Sequence, residues 1–425
     1  MYHIELERGI KLMASKVSIA GVSMTRFGKF LNKSVKDLVQ ESVSDVLIDA
    51  GLEKDDIQAV FFGNCVQGHM EGQDMIRGQV ALRPLGFEKL PIFNIENACA
   101  TASTAFHLGF NYICSGAADI VLAVGAEKMY SENRDLMFSA FNGAWDVHNS
   151  DLNVKTFEEM ASLTLPTNSS VKKAKISSVF MEVYAGWCRK HMELFGTTQN
   201  QLAAVASKNH MHSVANEKAQ YRKAFTIEDV LNSQTVIHPL TLPMCSPISD
   251  GAAAAIMCSP KGLNKIKGSS KRNIRVRTSV IQTGSNRNIL DSKKHITKLA
   301  AEKAYNCGIG PDDLDLLEVH DATAIGEIIE MEALGVCEQG EGGIFAERGL
   351  TALGGSIPVN PSGGLESKGH PIGATGLGQI YELVTQLRGE AAGRQISSPK
   401  VALAQNGGGV YGIEEAVSAV TILSI

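Results

Sequence analysis

A cysteine stands inside a run of very small side chains in NIENACATASTAF, residues 94–106, directly after LPIF, an apolar segment that reads as a strand. With a helix starting near Ala98, the unpaired amides of its first turn and the positive end of its dipole favour a thiolate at Cys99 over a thiol. The plainer alternative is a buried structural cysteine, the commoner fate of an unpaired thiol. A second cluster is NPSGGLESKGHPIGATG, residues 360–376, where Gly363, Gly364, Gly369, Gly373 and Gly376 surround His370. Glycine at that density permits left-handed backbone or close approach of a ligand, and Pro371 restricts the residue before it, so His370 reads as a fixed base. A satisfied loop histidine is the other reading. His320 ends the strand of VHDATA, and Gly407, Gly408 and Gly409 follow the strand of ALAQNGGGVYG, exposing amides of the kind an oxyanion hole needs. The four segments together supply a nucleophile, a base, a second polar histidine and oxyanion donors.

These residues sit at the ends of a repeated order of elements. IQAVFFGNCVQG (57–68) is a buried-strand pattern running into a polar loop, and residues 90–129 then give strand, small-residue turn, helix and a second strand at Ile120 to Val124. LDLLEVHDATA (314–324) again runs strand into loop, followed by the glycine-rich turn, a helix and the strand of KVALAQNGGGVYG. The halves look duplicated. Strands alternating with helices imply an α/β protein with mostly parallel sheets covered by helices, and chemistry in such folds collects where strands end and helices begin. Residues 130–244 break the pattern with loops and amphipathic helices, an inserted segment expected to wall a pocket.

Composition limits the partners. The 425 residues carry 40 Lys plus Arg against 45 Asp plus Glu, a net charge of -5, so no basic field exists to attract nucleic acid or an anionic membrane. Cys65, Cys99, Cys114, Cys188, Cys245, Cys258, Cys307 and Cys337 form no CxxC pair and have no histidine at zinc-site spacing, so no metal is expected. Reduced thiols fit a cytoplasmic setting. The first 16 residues mix charges without an apolar core, Met13 offers an alternative start, no apolar run reaches the ~18 residues needed to span a bilayer, and VTILSI is not a peroxisomal tripeptide.

NACATASTAF resembles the nucleophile motif of the thiolases, and NPSGGLESKGHPIGATG resembles their histidine motif nearly residue for residue. SPISDGAAAAIM (246–257) resembles the strand after that family's loop domain, and the resemblance covers essentially residues 16–425. VHDAT together with GAEKM is similar to the sterol-carrier-protein type thiolases and their archaeal and bacterial relatives. The resemblance implies a duplicated thiolase fold in helix–sheet–helix–sheet–helix layers. It places an N-terminal half at 16–129 with a return segment at 245–272, a coenzyme A-binding loop domain at 130–244, and a C-terminal half at 273–425. It further implies an acyltransferase that cleaves or forms a 3-oxoacyl-CoA through an acyl thioester on Cys99, with His370 as base and no cofactor beyond coenzyme A as substrate. Backbone N–H groups of Cys99 and Gly407 would form one oxyanion hole, His370 and His320 would contribute to the other, and Ser246 would contact the pantetheine arm. A homodimer or homotetramer paired through edge strands is expected, with roles in lipid metabolism and β-oxidation.

One departure stands out. Most thiolases carry a second acid–base cysteine, where this chain has Gln405 or Ala322, so proton transfer at the α-carbon falls to His320 or elsewhere. That keeps open a subunit working with an OB-fold zinc-ribbon companion on an aromatic 3-oxoacyl-CoA or succinyl-CoA, or a thiolase-like lyase. A lipid carrier that kept only the fold is a third reading, opposed by the joint presence of Cys99, His370 and Gly407. Lys208, His210, Lys218, Arg222 and Lys223 are candidates for the coenzyme A phosphates, with a solvated helix face as the alternative.

Overall fold

The computed structural model describes residues 17–149, 151, 155–156, 179–266 and 274–425. Its first half runs β1 (Ser18–Met24), α1 (Val35–Ala50), β2 (Ala59–Gly63), β3 (Ile92–Ile95), α2 (Thr101–Cys114) and β4 (Ile120–Glu127). Helices α3 (Val179–Phe195) and α4 (Gln199–Ser213) and a small hairpin of β5 (Thr235–Ile237) and β6 (Leu240–Thr241) intervene before β7 (Gly251–Cys258) returns to the sheet. The second half repeats the order as β8 (Ile274–Thr283), α5 (Ile296–Tyr305), β9 (Leu316–Glu318), α6 (Ala324–Ala333), α7 (Thr375–Leu387), β10 (Val401–Gly408) and β11 (Val417–Ser424).

The strand order β3-β2-β4-β7-β1-β8-β11-β10-β9 makes the duplication explicit. Reading outward from the central β1–β8 pair, β7, β4 and β2 on one side match β11, β10 and β9 on the other. The counterpart of β3 is a single parallel bridge between Leu317 and Val359. The sheet is mixed. Pairs β2–β3, β2–β4 and β9–β10 are parallel, as the strand–helix–strand alternation predicts. The five pairs involving β1, β7, β8 and β11 are antiparallel, because β7 and β11 re-enter beside β4 and β10 without the crossover that a parallel pair requires.

Three apolar layers hold this together. Helix α1 covers the outer face of the first-half strands, and α5 with α6 covers that of the second. Between them α2 and α7 fill the middle of one core that draws on strands of both halves. Strands β4 and β7 are buried along their whole length, which the small, apolar GAAAAIMC of β7 suits. Helix α1 starts at a reciprocal Ser34–Asp37 cap and stops at Gly51 in the left-handed region, φ 65°.

Helices α2 and α7 come into close contact at Gly376 and Ser103. A Cβ at Gly376 would lie 2.0 Å from Ser103 Oγ and 2.7 Å from Ser103 N, and the backbone contact cannot be relieved by a rotamer change. Gly376→Ala is therefore expected to destabilise the protein by ~1–3 kcal/mol and to pry apart the two helices that begin beside Cys99 and His370. Thermal melting with a parallel assay of Cys99 acylation tests this; a variant with wild-type Tm and acylation would show that the crossing tolerates separation.

Candidate active site

Cys99 lies between β3 and α2, in a single 3-10 turn, Ala98–Ala100, that leads into the helix. Ala98 takes a left-handed backbone, φ 48°, which turns the thiol away from the strand direction. Glu96 Oε1 accepts from Ala98 N at 2.7 Å and Thr101 Oγ1 accepts from Asn97 N at 2.7 Å, fixing that turn. Burial pushes the Cys99 thiol up to about 12, against the amides of Gly409 and of Cys99 itself, which favour the thiolate. Where the helix end alone suggests a thiolate, desolvation outweighs the amides and favours the neutral thiol at rest.

His370 occupies the matching place in the second half, before α7. Its N–H donates to Ser249 Oγ (2.9 Å), and its Nδ1 lies 2.7 Å from Thr375 Oγ1. The Thr375 hydroxyl donates its one proton to Pro371 O (3.0 Å), so it accepts from His370 Nδ1–H. That leaves Nε2 with a free lone pair, the form a general base requires. His320 is held the opposite way. Asn406 Nδ2 donates to its Nδ1 at 2.9 Å, and Asn406 Oδ1 accepts from Ser103 Oγ at 2.9 Å, so the His320 proton is on Nε2. The ring centroids are 5.2 Å apart and nearly perpendicular, and one donor atom from each of Cys99, His320 and His370 falls within 4.8 Å of the others. Burial lowers His320 to about 4 and His370 well below the usual histidine range, so both are neutral at pH 7.

This geometry bears on three residues singled out from the sequence. His320 presents an N–H, not a lone pair, which makes it a donor to an oxygen and not a carbon base. Gly407 and Gly408 still belong to β10, paired with Ser418 and Val417, whereas Gly409 turns off the strand with φ 62° and its amide favours the Cys99 thiolate. Gln405 lies behind the site, where its Oε1 accepts from His320 N (2.9 Å) and its Nε2 donates to Thr297 and Ser418. Sequence reading missed Asn406, Thr375 and Ser103, although Asn406 stands between Gln405 and Gly407 and Thr375 lies within the histidine motif.

These groups open onto a cavity of about 900 Å³, with Ser246 and Ala322 in its wall and a lining rich in aromatic rings, among them Phe138, Phe141, Trp145, Phe180 and Tyr184. Ser246 N donates to Ala322 O at 2.9 Å. Cys65 also borders the cavity, but its thiol donates to Ala98 O (3.0 Å) and touches Thr101 Oγ1 (2.9 Å). Lys208 and His210 are built into the interior, and Lys218 is half-buried. Lys208 pairs with Glu327 (2.6 Å) and donates to Val359 O (2.9 Å), while neighbouring Asn209 donates to Asp321, Glu327 and Glu366. His210 bonds Pro243 O and Ser367 Oγ, and Lys218 donates to Met24 O. Arg222 and Lys223 remain exposed, and none of the five lines the cavity.

The match to known proteins follows the same division into halves. A model of the thiolase N-terminal domain matches residues 17–261, and a thiolase C-terminal domain-like model matches 282–424. The chain belongs to the thiolase family. Its class is that of an acyltransferase. It is 36% identical over 404 residues to an acetyl-CoA acetyltransferase of Methanothermobacter thermautotrophicus, covering 93% of this chain and 97% of that protein. It is 35% identical over 403 residues to human sterol carrier protein 2, covering 92% and 69%. Identity to the benzoylsuccinyl-CoA thiolase subunit BbsB of Thauera aromatica is 33% over 402 residues, covering 93% and 95%. Two solved structures share the thiolase fold: the Ltp2-ChsH2(DUF35) aldolase (TM-score 0.76, 22% identity, covering 97% of this chain and 98% of that one) and human mitochondrial 3-ketoacyl-CoA thiolase (0.68, 17%, 96% and 98%). Among the described residues no helix is long and apolar enough to cross a membrane.

A thiol raised to about 12 makes a definite pH prediction. The thiolate fraction of Cys99 grows with pH up to its pKa, so the rate of its alkylation by iodoacetamide is expected to climb from pH 6 to pH 10 without levelling. Peptide mass spectrometry of Cys99 at each pH reads this rate. A plateau near pH 7 would mean a pre-formed thiolate.

Proposed function

We propose that the protein cleaves or forms a 3-oxoacyl-CoA through an acyl thioester on Cys99. The observation that carries this reading is the convergence of a thiol, an imidazole lone pair and an imidazole N–H at one end of a large cavity. In the cleaving direction His370 Nε2 takes the thiol proton as the sulfur attacks the ketone carbon. The carbon–carbon bond then breaks, the acyl group stays on sulfur, and the other fragment leaves as a thioester enolate that must gain a proton. The amides of Cys99 and Gly409 suit the acyl oxygen, in place of the Gly407 amide that the motif alone suggests, and His320 Nε2–H suits the enolate oxygen. The thiol of coenzyme A, its pantetheine arm passing Ser246 and its nucleotide held by the loop segment 130–244, then collects the acyl group. The aromatic lining and the volume of about 900 Å³ favour a bulky or aromatic acyl group over a short one.

A second reading is supported by the likeness to BbsB, a subunit, and by the shared fold with the Ltp2-ChsH2(DUF35) aldolase. In it the chain works with an OB-fold zinc-ribbon companion on an aromatic 3-oxoacyl-CoA or succinyl-CoA, or as a lyase. Independently of that choice, we propose a cytoplasmic homodimer paired through β3. This edge strand exposes Phe93, 41% accessible and stacked 5.0 Å from Phe61, and a second copy would cover it.

Cys99→Ser is expected to abolish acyl transfer while leaving the melting curve unchanged, because a hydroxyl is a far weaker nucleophile at neutral pH. His370→Ala should slow acylation and turnover alike by ~100-fold or more. Intact-mass detection of the acyl-enzyme with a panel of 3-oxoacyl-CoAs reads both, and acylation surviving in Cys99→Ser would sink the thioester mechanism. For the dimer, sedimentation at low micromolar concentration should give twice 45.5 kDa or more, and Phe93→Asp should shift it towards monomer. A wild-type monomer would remove β3 as an interface.

A further inference from the structure

Glu415, in the turn between β10 and β11, borders two cavities at once: the catalytic one and a second of about 350 Å³ that also reaches His295, Glu330 and Arg287. A Cβ on Gly407 would lie 2.8 Å from Glu415 Cγ and 3.1 Å from its Oε1, so the missing side chain at Gly407 is what lets this carboxylate lie along β10. Glu330 of α6 is fully enclosed and lies beside Glu415. Neither Glu330 oxygen has a donor at ordinary geometry, although the Thr297 hydroxyl is nearby. One polar atom from each of His295, Glu330 and Glu415 falls within 4.8 Å of the others.

The charges around this group do not neutralise it. Arg287 is engaged by Glu414, at 2.5 Å, and Glu414 also accepts from Ile296 N at 3.2 Å. His295 Nδ1 accepts from Thr297 N (3.3 Å), and burial lowers the ring to about 3, so it is uncharged. Tyr184 of α3 and Cys99 lie towards Glu415 from the catalytic side, and neither brings a positive charge. Two carboxylates with oxygens within 4.8 Å of each other, both raised by burial, resist ionising together, and the low-energy state holds one proton between them.

The catalytic cavity has a matching need. His370 is committed to the thiol, His320 offers only an N–H, Gln405 and Ala322 do not titrate, and the Cys65 thiol is tied to Ala98 O. We propose that Glu415, sharing a proton with Glu330, is the group that carries the α-carbon proton in this enzyme; the proposal rests on the thioester reading above. In carbon–carbon bond formation the Cα–H bond breaks, its electron pair moves to the thioester oxygen held by His320, and the proton passes to ionised Glu415 while Glu330 keeps the shared one. In cleavage the enolate carbon takes the proton back from Glu415. Burial raises Glu415 to about 7, close to the pH at which it must both take and give a proton.

Deuterium uptake into the methyl group of acetyl-CoA in D₂O, followed by NMR, tests the proposal beside intact-mass measurement of Cys99 acylation. Glu415→Gln is expected to slow uptake by ~100-fold or more and acylation by much less, and Glu330→Gln to shift the pH profile of uptake. Glu415→Asp, with melting curves for each variant, separates lost chemistry from lost fold by restoring part of the uptake. Uptake at the wild-type rate in Glu415→Gln, its loss in Cys65→Ala instead, or a stoichiometric divalent metal held by the purified protein would each overturn the assignment. Wild-type protein that never acylates on Cys99 would overturn the thioester reading itself, a result distinct from acylation with unaltered uptake in Glu415→Gln.

Discussion

Two imidazoles and a thiol meet at one end of the cavity, both rings buried, and the arrangement works only because none of the three is charged at rest. A protonated His370 would have to sit 5.2 Å, ring to ring, from His320 and near Lys368, with no counter-charge of its own. What sorts the pair is one neighbour each: a hydroxyl that must accept at Thr375, and an amide that must donate at Asn406. Opposite tautomers follow, and with them a division of labour between base and donor that neither ring could choose alone. The threonine is carried by the start of α7. The asparagine is carried by β10 and fixed by Ser103 of α2, so the chemistry depends on the two central helices keeping their places.

The duplicated architecture explains why those places are available. Cys99 and His370 each precede the central helix of their half, and His320 follows β9. A pseudo-symmetric frame thus delivers Cys99 from one half and His370 from the other. The 2.0 Å that a Cβ on Gly376 would leave to Ser103 Oγ measures how closely the halves must come for this to succeed.

Much of this was legible in the sequence, and what was not has physical causes. Cys99, His370 and His320 announce themselves because each sits in a short contiguous motif at a strand or helix end, and local chemistry there is nearly independent of the rest of the chain. The amide set beside Cys99 is that of Gly409 and not of Gly407, which three identical glycines conceal because they carry no mark of where the β10–β11 ladder stops. The resting state of Cys99 was misread because a helix dipole is visible in one segment, whereas desolvation comes from elements far along the chain. The basic residues failed for a related reason: helix α4 has little amphipathic contrast, so nothing local reveals that Lys208 and His210 turn inward. The strand–helix alternation found the parallel pairs, but was silent about β1, β7, β8 and β11, whose neighbours are set by long-range return.

The buried contacts of α4 bear on how the substrate range of this chain can change. Lys208 and Asn209 reach Glu327 of α6, Asp321 beside His320 and Glu366 in the histidine loop, and each of these groups would be left uncompensated in the interior if its partner were lost. Mutational drift in α4 is therefore tightly constrained, even though the helix lies in the inserted segment. Residues 137–141 with Phe180 and Met181 line the cavity with mainly apolar side chains and hold none of these buried carboxylates, so they are freer to vary. Divergence to new acyl groups should thus accumulate on one wall of the cavity, while the opposite wall stays nearly fixed across lineages.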